Sequence, residues 1–158
     1  MAVIDGVRFV NDSQGTQPDA VIAALRAFPA PVVLIAGGRD KGNDLTDLAR
    51  VAAERADAAV LIGESGPTLE GLFKAAGLAR TIRAATLDEA VSTAARLARA
   101  RLDDLPRGAT ATVLMSPAAA SFDMFVDYVA RGRAFIEAVG RLAAEDRRAT
   151  GASDGRPG

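Results

Sequence analysis

Short runs of β-forming residues alternate with longer helical patterns along most of the chain, and few folds accept this order. The β-like runs are VRFV, PVVLIAGG, AAVLIGE, RTIRAA and TATVLMS, at residues 7–10, 31–38, 58–64, 80–85 and 110–116. Because PVVLIAGG is apolar without interruption, it is typical of a strand that is buried on both faces of a sheet. The alternation predicts an α/β fold with an open, mainly parallel sheet and helices on both faces.

Helical periodicity fills the segments between these runs. The predicted helices cover approximately residues 19–28, 45–56, 67–77, 87–102 and 121–145. Thr86 and Glu89 are spaced as a capping box for the fourth helix. The opening VIDGVRFVND could form two short antiparallel strands around its central glycine. Residues 146–158 show no periodicity, which predicts a disordered tail after a single domain at residues 1–145.

Composition excludes several classes of function. The chain has 158 residues, enough for one domain with a sizeable core. It contains no histidine and no cysteine, which excludes a serine–histidine triad, thiolate metal sites and a disulfide framework. A formal net charge of -1 favours neither nucleic acid nor an anionic membrane. No apolar run approaches the roughly 20 residues that span a bilayer, and no signal peptide is evident, so we expect a cytoplasmic protein.

Ligands of open parallel sheets bind outside the carboxyl ends of the strands, so the loops at that edge form the candidate site. These loops cover residues 11–18, 37–44, 63–66, 84–86 and 116–121. The first, second and last carry more polar groups than a short connection requires. In the other two, Ser65, Gly66 and Thr86 are interpreted as a turn and a helix cap.

The loop GGRDKGND, residues 37–44, combines backbone freedom with a cation. Its three glycines let the backbone approach a ligand. Lys41, one of only two lysines in the chain, supplies three hydrogen-bond donors, and Asp44 is a candidate cap for the next helix. The spacing matches neither Walker A nor G-x-G-x-x-G. A carboxylate suits one lysine beside helix N-terminal amides, whereas a solvated lysine in a turn explains the pattern equally well.

The other two polar loops each have a structural and a functional interpretation. After the last strand, SPAAASFDMF could use Ser121 as a helix cap, while its alanines could allow a ligand to approach the backbone. On spacing alone, Phe122 is a core residue. Residues Asn11 to Thr16 could form an Asx-rich loop that satisfies its own backbone. Alternatively, this surplus of polar groups could bind a sugar hydroxyl or an ammonium through Asp12.

Three blocks of the sequence, taken together, resemble one family in order and spacing. They read VRFVNDSxxT, GGxxKG and SPAxASxDxF. They are similar to the C-terminal domain of the Mur ligases, in the branch that joins D-glutamate to UDP-N-acetylmuramoyl-L-alanine, and the resemblance spans roughly residues 3–145. The related folate polyglutamate ligases share the fold but usually carry a histidine-containing loop at the first block, which this chain lacks.

The resemblance implies a fold and a reaction. These ligases use ATP and Mg²⁺ to turn a substrate carboxylate into an acyl phosphate, which the amine of the incoming amino acid attacks. The implied domain is Rossmann-like, a three-layer open sheet of about six strands, and it delivers the amino acid when it closes on a central ATPase domain. The implied partners are D-glutamate, ATP and, through other domains, UDP-N-acetylmuramoyl-L-alanine. The setting is peptidoglycan precursor synthesis by a cytoplasmic monomer.

The resemblance also assigns roles to individual residues, none of them catalytic or metal-binding. The residues implied to bind D-glutamate are Thr16, Lys41, Ser121, Phe122 (through its backbone) and Tyr128. The residues implied to bind the nucleotide are Asn11, Asp12 and Gln14, with Asp12 meeting the ATP ribose across the domain cleft.

The chain departs from the family pattern in two ways. The first block normally reads N-D-S-K-A-T-N, and here Gln14, Gly15 and Gln17 replace the lysine, the alanine and the last asparagine. The lost lysine puts the nucleotide contacts in doubt or implies an arginine supplied elsewhere. No G-x-x-x-x-G-K-S/T segment is present, so we expect one domain of a ligase that is inactive alone. The alternatives are a stand-alone, non-catalytic binding module of the same fold, or the same domain of another Mur or folylpolyglutamate ligase.

Overall fold

The computed structural model describes residues 2–39, 42–119, 125 and 127–154, and strands alternate with helices through these ranges. The strands are β1 (Ala2–Ile4), β2 (Val7–Asn11), β3 (Val32–Gly37), β4 (Ala58–Ile62), β5 (Thr81–Arg83) and β6 (Ala111–Met115). The helices are α1 (Pro18–Ala27), α2 (Thr46–Arg55), α3 (Gly66–Ala76), α4 (Leu87–Asp103) and α5 (Tyr128–Asp154).

The six strands form one sheet in the order β1-β2-β6-β3-β4-β5. Neighbouring strands are parallel except β1 and β2, which pair antiparallel with Ala2 opposite Phe9. These two strands are the antiparallel element expected around Gly6, whose φ of 81° is a conformation that glycine adopts without strain. The open, mainly parallel sheet confirms the predicted fold class.

Side chains of the central strands alternate between two apolar layers, one on each face of the sheet. Val33 and Ile35 pack into the layer formed by α4 and α5, whereas Leu34 packs into the layer formed by α1, α2 and α3. All residues of β3 are buried, as its uninterrupted apolar sequence predicts. Removal of apolar surface from water stabilises this packing. The packed sheet therefore holds the ends of the loops at its carboxyl edge in place.

Local signals place several helix ends where the sequence predicts them. Pro18 begins α1, where the backbone N–H groups of a helix have no intrahelical acceptor, so the missing N–H of proline costs nothing. Gly77 ends α3 in a left-handed conformation, with a φ of 114°. The N–H of Glu89 donates to Thr86 Oγ1 at 3.1 Å, and the Glu89 carboxylate accepts from the N–H of Ala85 at 3.1 Å. The capping box before α4 is therefore confirmed. Its one difference from the usual pattern is that the Glu89 carboxylate accepts from the N–H of Ala85, one residue before the N-cap Thr86.

Helix α5 begins later than the sequence predicts. It starts at Tyr128 rather than near residue 121, and Asp127 precedes it in a bend. The N–H of Ala130 donates to Asp127 Oδ1 at 2.8 Å, so Asp127 caps this helix. The apolar residues before Asp127 are also spaced as in a helix, which is why the sequence predicts an earlier start. Val129, the second residue of α5, is 44% exposed.

Helix α5 also ends later than predicted. The sequence predicts a disordered tail over residues 146–158, but α5 continues to Asp154. The physical reason is that AAEDRRA, residues 143–149, consists mostly of good helix formers and contains neither glycine nor proline. The domain boundary at residue 145 stays a prediction. Neither α5 nor any other helix among the described residues is apolar over a length that would cross a membrane.

Candidate functional site

The loops after β2, β3 and β6 meet at the carboxyl edge because β6 lies between the other two strands. The N–H of Asp12 donates to the Met115 carbonyl at 2.8 Å, and the N–H of Gly37 donates to the Pro117 carbonyl at 2.8 Å. The end of β6 is therefore bonded to the loop after β2, and the segment after β6 is bonded to the end of β3. The three polar loops of the sequence share one edge of the sheet.

A buried hydroxyl fixes the orientation of Asp12. Ser116 Oγ donates a hydrogen bond of 2.7 Å to Asp12 Oδ2. Ser116 is fully buried, whereas Asp12 is only partly buried. Because a carboxylate accepts several hydrogen bonds, Asp12 keeps acceptor capacity for a ligand while one of its oxygens is held.

Gly15 allows the loops after β2 and β6 to approach each other. A Cβ atom here would clash with Ser116 Oγ and stand 2.7 Å from Asp12 Oδ2. The Gly15 carbonyl accepts a bond of 2.8 Å from the N–H of Ala118. Gly15 therefore belongs to the contact between the two loops. The sequence shows only that Gly15 replaces the alanine of the family pattern, which does not predict this role.

The loop that carries Lys41 is anchored at both ends, although Lys41 itself lies outside the described residues. At one end, Gly38 donates to Ser65 Oγ at 3.1 Å, and the N–H of Ser65 donates to the Gly38 carbonyl at 2.9 Å. At the other end, Asn43 Nδ2 donates to Gln17 Oε1 at 3.5 Å. Ser65 thus has the structural role predicted for it, and the loop lies beside the loop after β2.

Asp44 fixes the start of α2. Its Oδ1 accepts a bond of 3.0 Å from the N–H of Thr46, the first residue of the helix. The N-cap position predicted for Asp44 is occupied by Leu45, so Asp44 holds the first turn from one residue before the cap. This backbone hydrogen bond lowers the pKa of the Asp44 carboxyl from its ordinary value of 3.8. Because the ionised form is favoured on folding, the stabilising contribution is present at neutral pH and is lost as the pH falls through the lowered pKa.

A cavity of about 230 Å³ lies between the loop after β2 and helix α5, and we call it the α5 groove. Its lining includes Asn11, Gln14 and Tyr128, three of the residues predicted to bind nucleotide or amino acid. It also includes Arg133, which the sequence motifs do not single out. Arg133 therefore lines the same groove as Gln14, where the family pattern has a lysine.

Arg133 could have been found from helical spacing. Val129, Arg133 and Ile136 follow an i, i+4, i+7 pattern, which puts them on one face of α5. Val129 is 44% exposed and Ile136 is 60% exposed, so this face is open to solvent.

Arg131 is a second arginine that the sequence motifs do not identify. It is 1% exposed, and its two terminal nitrogens donate to the Ala119 carbonyl at 3.0 Å and to the Ser13 carbonyl at 2.9 Å. Arg131, Phe135 and Ala138 share the buried face of α5 at i, i+4, i+7. This helical spacing is the sequence signal that could have identified Arg131 as buried. It is easily missed, because charged residues are rarely found in a core.

A larger cavity of about 570 Å³ lies between β1 and α5. Apart from Asn11, the described residues that line it are apolar, and Val3 among them is 63% exposed. It offers no charged group to an ionic ligand. The carboxyl-edge loops and the α5 groove are therefore the better candidate site, because polar and charged residues are among those that form them.

The structure thus brings some predicted site residues together, and others lie outside the described residues. Asp12, Gln14 and Thr16 lie in the loop after β2, and Tyr128 faces the same groove as Asn11. The predicted ligand-binding residues outside the described part of the chain are Lys41, Ser121 and Phe122. The described residues contain no group of three or more acidic side chains that could hold a metal ion.

Comparisons with known proteins agree on one family. The family model for the Mur ligase glutamate ligase domain matches residues 1–119. The UDP-N-acetylmuramoylalanine–D-glutamate ligase of Pelotomaculum thermopropionicum is 42% identical over 139 residues, which cover 88% of this chain and 29% of the relative. The ligase of the same name from Methylococcus capsulatus is 45% identical over 143 residues, 90% of this chain and 29% of the relative. The chain thus spans less than a third of the length of these relatives.

A solved structure agrees on the fold. The Mycobacterium tuberculosis folylpolyglutamate synthase, complexed with ADP and AMPPCP, has a TM-score of 0.54 and 16% sequence identity to this chain. The match covers 77% of this chain and 28% of the synthase chain. At this identity, the similarity concerns the arrangement of strands and helices and not the substrate.

Proposed function

Because this chain belongs to the Mur ligase family, as its glutamate ligase domain, we propose that it binds and orients D-glutamate for an ATP-dependent ligase. In this proposal the acceptor is UDP-N-acetylmuramoyl-L-alanine and the product is a peptidoglycan precursor. The other substrates, Mg²⁺ and most of the ATP contacts belong to the part of the relatives that this chain does not span. We place the reaction in the cytoplasm and expect the protein to be a monomer.

The observation that supports this proposal most strongly is the position of Thr16 between two loop contacts. On one side of it, the Gly15 carbonyl accepts from the N–H of Ala118 at 2.8 Å. On the other side, Gln17 accepts from Asn43 at 3.5 Å. Thr16 therefore lies where the loops that carry Ser121 and Lys41 converge on its own loop.

The proposed chemistry is orientation, not acid–base catalysis. D-Glutamate carries two carboxylates, which match a lysine ammonium and the hydroxyls of Thr16 and Ser121 as hydrogen-bond donors. With both carboxylates held, the amine is the group left free to react. Fixing a nucleophile in a reactive orientation removes translational and rotational entropy from the barrier, which is a large share of many enzymatic accelerations.

The α5 groove suits a nucleotide because of the side chains that its lining residues offer. ATP, when bound, supplies the phosphoryl group that activates the acceptor carboxylate. Asn11 and Gln14 offer amides, Tyr128 offers an exposed aromatic ring and Arg133 offers a guanidinium. Asp12 retains acceptor capacity for a ribose hydroxyl, because Ser116 occupies only one of its oxygens. We propose that Arg133 takes the place of the cation that Gln14 does not supply.

A domain-replacement chimera tests this function. The corresponding domain of the Methylococcus capsulatus ligase is exchanged for this chain, and D-glutamate-dependent release of phosphate is measured. Lys41→Ala should raise the KM for D-glutamate by about tenfold or more with a small change in kcat, because a lost ground-state contact of about 1.4 kcal/mol is a factor of ten. In the same chimera, Arg133→Ala should raise the KM for ATP and leave the KM for D-glutamate unchanged.

The chain contains its own control for the lysine variant. Lys74, the other lysine, is exposed on α3 and forms an ion pair of 3.9 Å with Glu70, so Lys74→Ala should leave both KM values unchanged. Equal D-glutamate KM values for the Lys41→Ala and wild-type chimeras would refute the carboxylate site. A folded but inactive wild-type chimera would instead favour a non-catalytic binding module, the reading that Gln14 suggests.

A further inference from the structure

We propose that Arg131 is a positioning residue, which holds the loops after β2 and β6 in the one arrangement that can receive the ligand. The proposal rests on the proposed function for the identity of the ligand. It concerns a residue that touches neither substrate nor nucleotide in our account. Arg131 acts through the two backbone segments that it bonds.

The geometry of Arg131 joins two segments that are far apart in sequence. One terminal nitrogen donates to the Ser13 carbonyl at 2.9 Å, and the other donates to the Ala119 carbonyl at 3.0 Å. Ser13 follows Asp12 directly, and Ala119 stands two residues before Ser121. The planar guanidinium has a fixed fork of donors, so it sets the separation of the two carbonyls as well as binding each of them.

Burial makes this arrangement sensitive to change. Arg131 is 1% exposed, and a buried guanidinium is costly unless its N–H groups are hydrogen-bonded. Movement of either loop away from α5 would therefore leave part of a charged group without its acceptor. The two loops are consequently coupled to each other through the helix.

Gly132, the next residue, provides an independent observation for the same contact. A Cβ atom on Gly132 would stand 2.6 Å from Ser13 Oγ and 3.1 Å from Asn11 Nδ2. The side chains of Ser13 and Asn11 therefore pack against α5 in the space that a side chain at position 132 would need. Arg131 attracts the loop, and Gly132 makes room for it.

The loop contacts provide a direct readout. The N–H of Ala118, which donates to the Gly15 carbonyl at 2.8 Å, spans the two loops. The N–H of Asp57, which donates to the Val32 carbonyl at 2.8 Å, lies at the opposite end of β3 and reports only on the sheet. Amide hydrogen exchange at Ala118, relative to Asp57, therefore measures separation of the loops without confusing it with general loss of stability.

The principal variant is Arg131→Lys, which keeps the charge and removes the two-armed donor. In the 158-residue chain we expect exchange at Ala118 to accelerate at least tenfold, exchange at Asp57 to change less than twofold, and the Kd for D-glutamate to rise at least fivefold. Arg147→Lys, at an exposed position of the same helix, should change none of these values.

A second pair of variants keeps the test decisive if Arg131→Lys does not fold. Gly132→Ala should separate the loops and weaken D-glutamate binding in the same way. Gly140→Ala, on the same helix with nothing within 4 Å of the added atom, should not. Both substitutions gain the same helix propensity, so their difference isolates the contact with Ser13 and Asn11.

Two outcomes would overturn the proposal. One is wild-type exchange at Ala118 in Arg131→Lys or, if that variant does not fold, in Gly132→Ala. The other is faster exchange with an unchanged Kd, which would reduce Arg131 to a structural residue. If the wild-type chain does not bind D-glutamate at all, the proposed function fails, and the coupling of the loops is then decided by the exchange rates alone.

Discussion

Asp12 and Ser116 show how a single hydrogen bond can join two ends of a polar site. The 2.7 Å bond between them connects residues that are 104 positions apart in the chain. Gly15 has no side chain to interfere, and a methyl group there would displace the Ser116 hydroxyl. The orientation of the Asp12 carboxylate thus depends on Ser116, which donates to it, and on Gly15, which contributes only its small size.

We therefore expect Gly15→Ala to destabilise the domain. The added methyl group should break the Ser116–Asp12 bond and lower the free energy of unfolding by about 1 kcal/mol, as overpacking and a lost hydrogen bond typically do. Urea denaturation of the isolated chain measures this change. Double-mutant analysis provides the control: in a Ser116→Ala background the same substitution should cost clearly less, because its main clash is gone. Equal costs in both backgrounds would contradict the assigned contact.

At this scale the sequence indicates candidates but not their partners. Asp12 stands out because its loop has more polar groups than a turn needs. Ser116 is the residue that holds it, yet its position at the end of a strand looks like a simple exit into Pro117. Hydrogen bonds between distant residues depend on strand order, and no local pattern encodes that order.

Helices show where local signals suffice. The cap of α4 is predicted from Thr86 and Glu89 alone, because both of its hydrogen bonds lie within four residues of sequence. The start of α5 is predicted wrongly, because Asp127 caps it in a segment whose apolar spacing continues before and after the cap. Because the apolar periodicity is continuous, it does not show where the helix begins; the Asp127 carboxylate determines that position.

Thr86→Ala tests the first of these statements. Removing the hydroxyl that accepts the Glu89 N–H should lower the free energy of unfolding by about 1 kcal/mol, the usual cost of an N-cap. Thr86→Ser keeps the hydroxyl acceptor and should lower the free energy of unfolding by only a few tenths of a kcal/mol. Thermal unfolding followed by circular dichroism gives both values, and equal losses for the two variants would show that the hydroxyl does not cap α4.

At the scale of the whole molecule, the strand order explains why three separate blocks of sequence can form one site. Alternation of strands and helices predicts the α/β class and the edge at which ligands bind. It does not predict that β6, the last strand in sequence, inserts between β2 and β3. That insertion brings the loop after β6 into hydrogen-bonding contact with residues Asp12 and Gly37.

The central claim is that these converging loops bind D-glutamate, and an NMR titration of the ¹⁵N-labelled 158-residue chain tests it most directly. D-Glutamate should shift the amide signals of Thr16, Gly42 and Ala118 in a saturable manner, with much smaller shifts from L-glutamate at equal concentration. Lys41→Ala should weaken the response, and Lys74→Ala should not. Saturable shifts confined to the apolar cavity around Val3, or identical responses to the two enantiomers, would contradict the account.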